Sequence, residues 1–166
     1  MLILETGAGL TNSNSYSSVD EADLYHEARL HTSIWDDADD DDKEAALQWA
    51  TRLIDEKIDF AGYKTSSTQA LEFPRSGLYD RGGNSIGSGT VPTWLKNATA
   101  EYARYLIGED LELSSGLSGF KELVVGPIEI VVDKADRKTA MPASVWSMLK
   151  FYGSTSTSSI RRLYRV

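Results

Sequence analysis

The chain has 166 residues, of which 41% are hydrophobic, and this is enough for one domain with a core of ordinary size. Its formal charge of −8 argues against a protein whose main affinity comes from neutralising the phosphates of a DNA duplex. The absence of cysteine excludes disulfides and thiolate sites, and because no long apolar run or secretory leader is recognisable, we expect a soluble, non-secreted protein.

Three segments have the residue pattern of helices. Ser18 followed by Glu21 matches a capping box, which predicts a first helix over about 18–31. The acidic run DDADDDD at 36–42 precedes KEAALQWATRLIDEKI, whose apolar residues recur at helical spacing. Because carboxylates are favoured at a helix N-terminus, we predict that the second helix follows this run directly. Pro92 in a first turn favours a third helix, which ends at Gly108.

Between the second and third helices, residues 59–90 contain many glycine and proline turn signals. They predict one long ordered loop, and loops of this length inside a compact domain are usually functional. Further along, FKELVVGPIEIVVD predicts two short strands joined by a type II′ turn at Gly126 and Pro127. The sequence thus predicts a β-hairpin near 120–133.

The C-terminal part of the chain predicts one more helix and an arm. The helix is expected from Pro142 to about Tyr152, and GSTSTSS after it is typical of a flexible tether. We therefore predict a mainly α protein: a small bundle of three to four helices with a β-hairpin, a long ordered loop and an extended C-terminal arm. Residues 1–150 would form the helical domain and residues 151–166 the flexible arm.

No group of residues is spaced for catalysis or metal binding. GNSIG at 83–87 fits the pattern of a nucleophile elbow, but both histidines precede it, whereas the elbow requires a later one. His26 and His31 are five residues apart, so they would lie on different sides of a helix rather than form a zinc motif. The aspartate run has no frame with the spacing of a calcium loop and is better explained as a solvated helix cap. We predict no enzyme, no metal and no cofactor.

Several motifs occur in a fixed order over about residues 5–132. They include NSY at 14–16, QALEFPR at 69–75, and VP at 91–92 before NAT at 97–99. In this order they resemble the head-to-tail connector (adaptor) proteins of tailed bacteriophages, some of whose relatives are labelled DnaT-like single-stranded DNA-binding proteins. Phe73 departs from the pattern, because a second tryptophan is expected before the Pro-Arg pair.

The resemblance implies a structural virion protein at the capsid–tail junction, assembled in the host cytoplasm. It would form a ring, commonly dodecameric, that lies beneath the portal and extends the DNA channel. The implied partners are further copies of the chain, the portal protein, a tail or stopper (nozzle) protein, and passing genomic double-stranded DNA bound without sequence specificity, with no membrane. The acidic charge would suit a channel wall that repels phosphates, or it is ordinary solubility charge; both remain open.

The stiff segment QALEFPRSGLYDRGG at 69–83 allows two hypotheses. Pro74 restrains the backbone, so Phe73 and Arg75 could project into a neighbouring copy, where Arg75 would pair with a carboxylate. On this hypothesis Tyr79 and Trp94 belong to the same subunit interface. The alternative is an intramolecular staple, with Phe73 in the core and Arg75 bonded to its own domain.

The last sixteen residues are basic, with a charge of +3 against −11 for the rest of the chain. A Ser/Thr tether before a basic amphipathic tip is typical of an arm that becomes ordered on a partner, and the portal is the first candidate. The alternative is a frayed terminus. The residues predicted to bind the portal are Ile160, Arg161, Arg162, Leu163, Tyr164 and Arg165.

A second function, from another class, is single-stranded DNA binding in phage replication. Such a protein stacks bases on aromatic side chains along a basic groove. Aromatic residues make up 10% of the chain, but its 17 basic residues are scattered and outnumbered by 25 acidic ones, so no groove is recognisable. On the sequence alone this function ranks below the connector.

Overall fold

The computed structural model describes residues 1–111, 122–125, 128–131 and 141–155. The helices in these ranges are α1 Val19–Glu27, α2 Ser33–Asp36, α3 Asp40–Lys57, α4 Thr93–Gly108 and α5 Ala143–Leu149. The strands are β1 Ile58–Phe60, β2 Tyr63–Lys64, β3 Arg75–Ser76, β4 Glu122–Val125, β5 Ile128–Val131 and β6 Gly153–Thr155. The predicted mainly α bundle with a β-hairpin is confirmed.

The core forms where α4 packs against α3, with α1, α2 and α5 around it. The apolar stripes that predicted the two long helices face each other there, and Leu47, Ile54, Leu95 and Tyr102 are fully buried. Burial of a side chain of this size contributes about 1.5–3 kcal/mol, so these positions supply much of the stability of the bundle.

The first helix has the predicted start but ends earlier than expected. The Ser18 hydroxyl accepts from the Glu21 amide and the Glu21 carboxylate accepts from the Ser18 amide, both at 3.2 Å, which confirms the capping box. The expected range to residue 31 is wrong, because α1 ends at Glu27 and His31 has a φ of 62°, which a right-handed helix cannot contain. The short helix α2 then buries Trp35, whose indole donates to Asp23 at 2.7 Å.

The aspartate run caps α3 as expected, but the helix begins at Asp40, inside the run, rather than after it. Asp39 is the N-cap and accepts from the Asp42 amide at 2.8 Å, and three more carboxylates lie in the first turn. Helix α4 differs slightly from the prediction, since Pro92 is its N-cap residue rather than part of its first turn. Both starts are local features, and local sequence was sufficient to find them.

The region between α3 and α4 is not one long loop. Strand β1 pairs with β6 and β2 pairs with β3, both antiparallel. The pairing of Ile58 with Thr155 and Phe60 with Gly153 also corrects the predicted tether, because residues 153–155 belong to the fold. The arm from residue 156 onward lies outside the described residues.

The predicted hairpin is present in the part of the chain that the structure describes. Strands β4 and β5 are antiparallel, with Glu122 opposite Val131 and Val125 opposite Ile128. The two strands thus pair in the order that the sequence predicted. The predicted type II′ turn at Gly126 and Pro127 lies outside the described residues.

Candidate nucleic-acid interface

Helix α3 separates two chemically different regions. Six aspartates in residues 36–42 surround its N-terminus, and we call this the acidic end. At 1.5 Å per residue, an 18-residue helix places its C-terminus about 27 Å away, where β1 begins. Residues 58–90 and 150–155, which contain β1, β2, β3 and β6, have four basic and three acidic side chains. The strong negative charge is therefore absent from the segments around the C-terminal end of α3.

Three aromatic rings are exposed near these strands. Tyr63 is 78% exposed, Tyr79 59% and Phe151 50%, and no other aromatic side chain of the described residues reaches this class of exposure. Most aromatic surface is buried in a folded domain, because each ring removes a large apolar area from water. Exposed rings grouped in one region therefore indicate a surface that contacts another molecule.

The strand pairings bring these rings to the same region. Tyr63 on β2 is opposite Ser76 on β3, and its Cδ2 is 3.9 Å from where a Cβ on Gly77 would lie. Tyr79 follows two residues after Gly77 in the chain. On the other side of the β1–β2 turn, the Ala61 amide donates to the carbonyl of the residue after Phe151 at 2.9 Å.

Arg81 is at the tip of a tight loop that follows Tyr79. The Asp80 carboxylate accepts from the amides of Gly82 and Asn84, each at 2.8 Å, and from the Asn84 side chain. These hydrogen bonds lower the pKa of Asp80 below its usual value, and the bonds from Asn84 have the largest effect. These bonds fix the backbone of the loop, and the Arg81 side chain is exposed at its tip.

The guanidinium of Arg81 lies over the ring of Phe151, 5.5 Å from its centroid. Within the described part of the chain it pairs with no carboxylate. We call Tyr63, Tyr79, Arg81 and Phe151 the aromatic end. Rings together with an unpaired cation can stack bases and attract phosphates, which is the chemistry of a single-stranded nucleic-acid surface.

An aromatic cluster supports the aromatic end from below. Tyr152 stacks on Trp94 with centroids 3.9 Å apart and planes 2° from parallel, and Phe151 meets Tyr152 edge to face at 5.1 Å. Trp94 in turn packs against Phe60 and Phe73. Because these rings are packed together, the exposed Phe151 projects from a rigid base.

The residues predicted for a subunit interface are in different environments. Phe73 is 1% exposed and forms edge-to-face contacts with the core, and Pro74, joined to it by a cis peptide, is also buried. Trp94 is half-buried within the aromatic cluster, and only Tyr79 is exposed. Their assignment to a subunit interface stays a prediction. The predicted arm residues Ile160, Arg161, Arg162, Leu163, Tyr164 and Arg165 lie outside the described residues.

Arg75 binds its own domain, as in the alternative hypothesis of a staple. Its guanidinium donates to the carbonyls of Phe60, Ala61 and Gly62 at 2.8–3.0 Å, and to the Glu72 carboxylate at 2.6 Å. The side chain is 8% exposed. These bonds fasten β3 to the β1–β2 turn, so Arg75 fixes the strands that carry the aromatic end.

A second anchor fixes the start of the same segment. The Tyr16 hydroxyl donates to Asp55 at 2.6 Å and accepts from the Phe73 amide at 3.2 Å, while Asp55 also accepts from the Glu72 amide at 3.0 Å. Burial raises the pKa of Asp55 to about 7, against the lowering effect of the Tyr16 bond. The pKa of the Tyr16 hydroxyl is also raised, first by its burial and second by the negative charge of Asp55. Helix α3 and the N-terminal segment therefore both hold residues 72 and 73.

No metal-binding cluster of histidine, aspartate or glutamate occurs among the described residues. His26 is buried with its Nε2 3.2 Å from the Ala100 carbonyl, and burial lowers its pKa. In the same ranges, no helix has the length and apolar character needed to cross a bilayer. These observations leave the aromatic end as the strongest candidate site in the described chain.

Sequence reasoning missed Tyr63, Arg81 and Phe151 as candidate site residues. Phe151 and Tyr63 are next to buried or turn positions, and the sequence does not show that these rings are exposed whereas the neighbouring Tyr152 is buried. A usable signal was the position of the charge. Six of the 25 acidic residues lie within 36–42, so the whole-chain charge says little about any other surface.

Comparison with known proteins gives one finding. A family model described as "Putative DnaT-like ssDNA binding protein" matches residues 1–166. No curated protein matches the chain, and no solved structure matches it. The family assignment therefore depends on this one model, which spans the full sequence.

This finding overturns the resemblance to phage head-to-tail connectors. The interpretation as a virion adaptor that completes the head, binds the portal and extends a DNA channel as a dodecameric ring is wrong, because the matching family is a DNA-binding one. The partners inferred from it, namely a ring of copies, the portal, a tail or stopper protein and passing duplex DNA, are corrected in the same way. The location at the capsid–tail junction depended on that resemblance and stays a prediction.

Proposed function

The chain belongs to the family of DnaT-like single-stranded DNA-binding proteins, and on this premise we propose that it binds single-stranded DNA through the aromatic end. This was the alternative function in the sequence analysis, ranked there below the connector. The observation that carries the proposal is that Tyr63, Tyr79 and Phe151 are exposed in one region together with Arg81, which pairs with no carboxylate of the described residues. We further propose that the protein acts by binding alone, without catalysis.

Stacking on exposed rings explains how an acidic protein can bind a polyanion. Base–aromatic stacking contributes about 1–3 kcal/mol per base and needs no net positive charge. Three rings therefore provide affinity that a count of lysines and arginines does not include. Bases in a duplex are already stacked on each other, so this mechanism favours a single strand.

The distribution of charge orients the encounter with DNA. The acidic end repels phosphates, whereas the segments around the aromatic end are close to neutral and present Arg81. The Debye length is about 8 Å at physiological ionic strength, and the helix between the two ends is about 27 Å long. The aspartates are thus largely screened from a strand bound at the aromatic end.

The test is fluorescence anisotropy with a labelled oligothymidylate of about 15 nucleotides, compared with a duplex of the same length. We expect the single strand to bind more tightly, and Tyr63→Ala and Tyr79→Ala each to weaken binding by about fivefold or more. Leu24→Ala and Leu30→Ala remove exposed apolar side chains of the α1 region and serve as controls that leave the affinity unchanged. Equal binding to duplex, or unchanged affinity in both tyrosine variants, would refute the proposal.

Salt dependence separates stacking from charge. If stacking dominates, the affinity falls only weakly with salt, because the slope for a single strand is about −0.7 for each phosphate neutralised. We expect a slope that reflects one or two ion pairs. A steep slope that the tyrosine variants do not change would place the binding surface elsewhere.

A further inference from the structure

We propose that Arg81 and Phe151 form a slot that takes one unpaired base between the guanidinium plane and the aromatic ring. The inference rests on the proposed function and adds to it a defined subsite. Its ligand is a single nucleobase of a strand, read by its flat face rather than by its edges. Tyr63 and Tyr79 would then stack other bases of the same strand.

The spacing of the pair is close to what a base requires. The guanidinium carbon is 5.5 Å from the ring centroid. Two stacked contacts at the usual separation of about 3.5 Å need about 7 Å, so the slot must widen by about 1.5 Å. A movement of this size is within the range of one long side chain and requires no change of the backbone.

One wall of the slot is rigid. The amide of Tyr152 donates to the Leu149 carbonyl and its carbonyl accepts from Ala61, each at 2.9 Å, so the backbone beside Phe151 is held at both groups. The Tyr152 ring is fixed by its stack on Trp94. With 50% of its surface exposed, Phe151 keeps an accessible part of its ring on this fixed base.

The other wall can open. Asp80 holds the loop backbone, but the Arg81 side chain makes no ion pair within the described residues and is exposed. A cation–π contact at an exposed site is weak, so little opposes its displacement by a base. After it opens, the guanidinium still covers the base and can donate to an adjacent phosphate. Arginine thus gives the slot both a flat stacking surface and a positive charge, whereas lysine would give it only the charge.

The test uses one ligand that lacks bases. Binding of oligothymidylate is compared with binding of an abasic deoxyribose–phosphate oligomer of the same length and charge. Four variants are measured with both: Phe151→Leu, Phe151→Trp, Arg81→Lys and Tyr105→Leu. The last is the matched control, because Tyr105 is the ring of another arginine–aromatic pair, with Arg104 at 4.5 Å.

We expect Phe151→Leu to weaken oligothymidylate binding about tenfold and to leave the weak abasic binding unchanged. Phe151→Trp should retain or improve the affinity, since it keeps an aromatic face. Arg81→Lys keeps the charge but loses the plane, so it should weaken oligothymidylate binding severalfold, while Tyr105→Leu matches the wild type. A double variant of Phe151→Leu and Arg81→Lys should lose less than the product of the two single effects.

The outcomes distinguish a failure of the slot from a failure of the proposed single-stranded DNA binding. If the wild type binds oligothymidylate but Phe151→Leu or Arg81→Lys binds it equally well, the slot is refuted and the proposed function stands. Equal affinity of the wild type for the abasic oligomer refutes the slot as well. If the wild type binds no oligothymidylate, both the slot and the proposed function are refuted.

Discussion

Replacing Arg75 tests whether this side chain staples its own domain. Its guanidinium donates to four backbone carbonyls and one carboxylate while the residue is 8% exposed. Arg75→Met keeps much of the side-chain volume but leaves those acceptors without their donor. Hydrogen bonds to a charged group contribute about 1.5–3 kcal/mol each and are not additive, so we expect a loss of about 3–5 kcal/mol in the free energy of unfolding.

The assay is equilibrium unfolding in urea, followed by the fluorescence of the tryptophans. Arg75→Lys keeps the charge but cannot reach all the acceptors that the planar fork reaches, so its loss should be intermediate. The control is Arg52→Met, because Arg52 pairs with Glu56 on the exposed side of α3 at 2.9 Å. A surface pair of this kind contributes less than about 1 kcal/mol. If Arg75→Met costs no more stability than Arg52→Met, Arg75 is not a staple and the reasoning is wrong.

Two further predictions concern the same region. Asp55 has a pKa of about 7 in the fold and an ordinary value near 3.8 when unfolded, so the native state holds its proton more tightly. The stability that this proton contributes is complete below about pH 4 and is lost as the pH rises to about 7, up to about 4 kcal/mol, whereas Asp55→Asn should lack this loss across the window; parallel profiles of the two proteins would contradict this. Gly62→Ala should lower the melting temperature far more than Gly83→Ala, because both have positive φ but only at Gly62 would a Cβ meet a backbone oxygen, at 2.3 Å. Equal shifts in thermal unfolding would show that the β2–β3 contact is loose.

Local signals were the part of the fold that the sequence could predict. The capping box at Ser18 and the aspartates before α3 satisfy amide groups within a few residues, so the pattern needs no knowledge of the rest of the chain. The end of α1 was missed because no sequence signal marked the left-handed conformation of His31. The hairpin was found for the same reason as the caps, since its strands and turn are adjacent in the sequence.

Contacts between distant residues were the part that could not be predicted. Strand β6 pairs with β1 across almost a hundred residues, and GSTSTSS has the composition of a tether whether or not such a partner exists. Tyr152 is covered by its stack on Trp94, which is also distant in sequence, whereas its neighbour Phe151 is exposed. For Arg75 the sequence left two hypotheses open, because a buried staple and a projecting cation need the same residue type. The buried staple is favoured by three backbone carbonyls that accept from Arg75, and these belong to β1 and to the turn after it.

The rigidity of residues 69–83 has a consequence for binding. Two anchors, the Tyr16–Asp55 pair and Arg75, fix the segment just before Tyr79 and Arg81. A site on a fixed support loses less conformational entropy on binding than a site on a mobile loop, so more of the stacking energy remains as affinity. The anchors are buried and cannot touch DNA, whereas the side chains at the aromatic end contribute little to the core. On the proposed function, stability and recognition are divided between neighbouring residues of one short segment, and loosening Arg75 should weaken DNA binding although Arg75 is not part of the aromatic end.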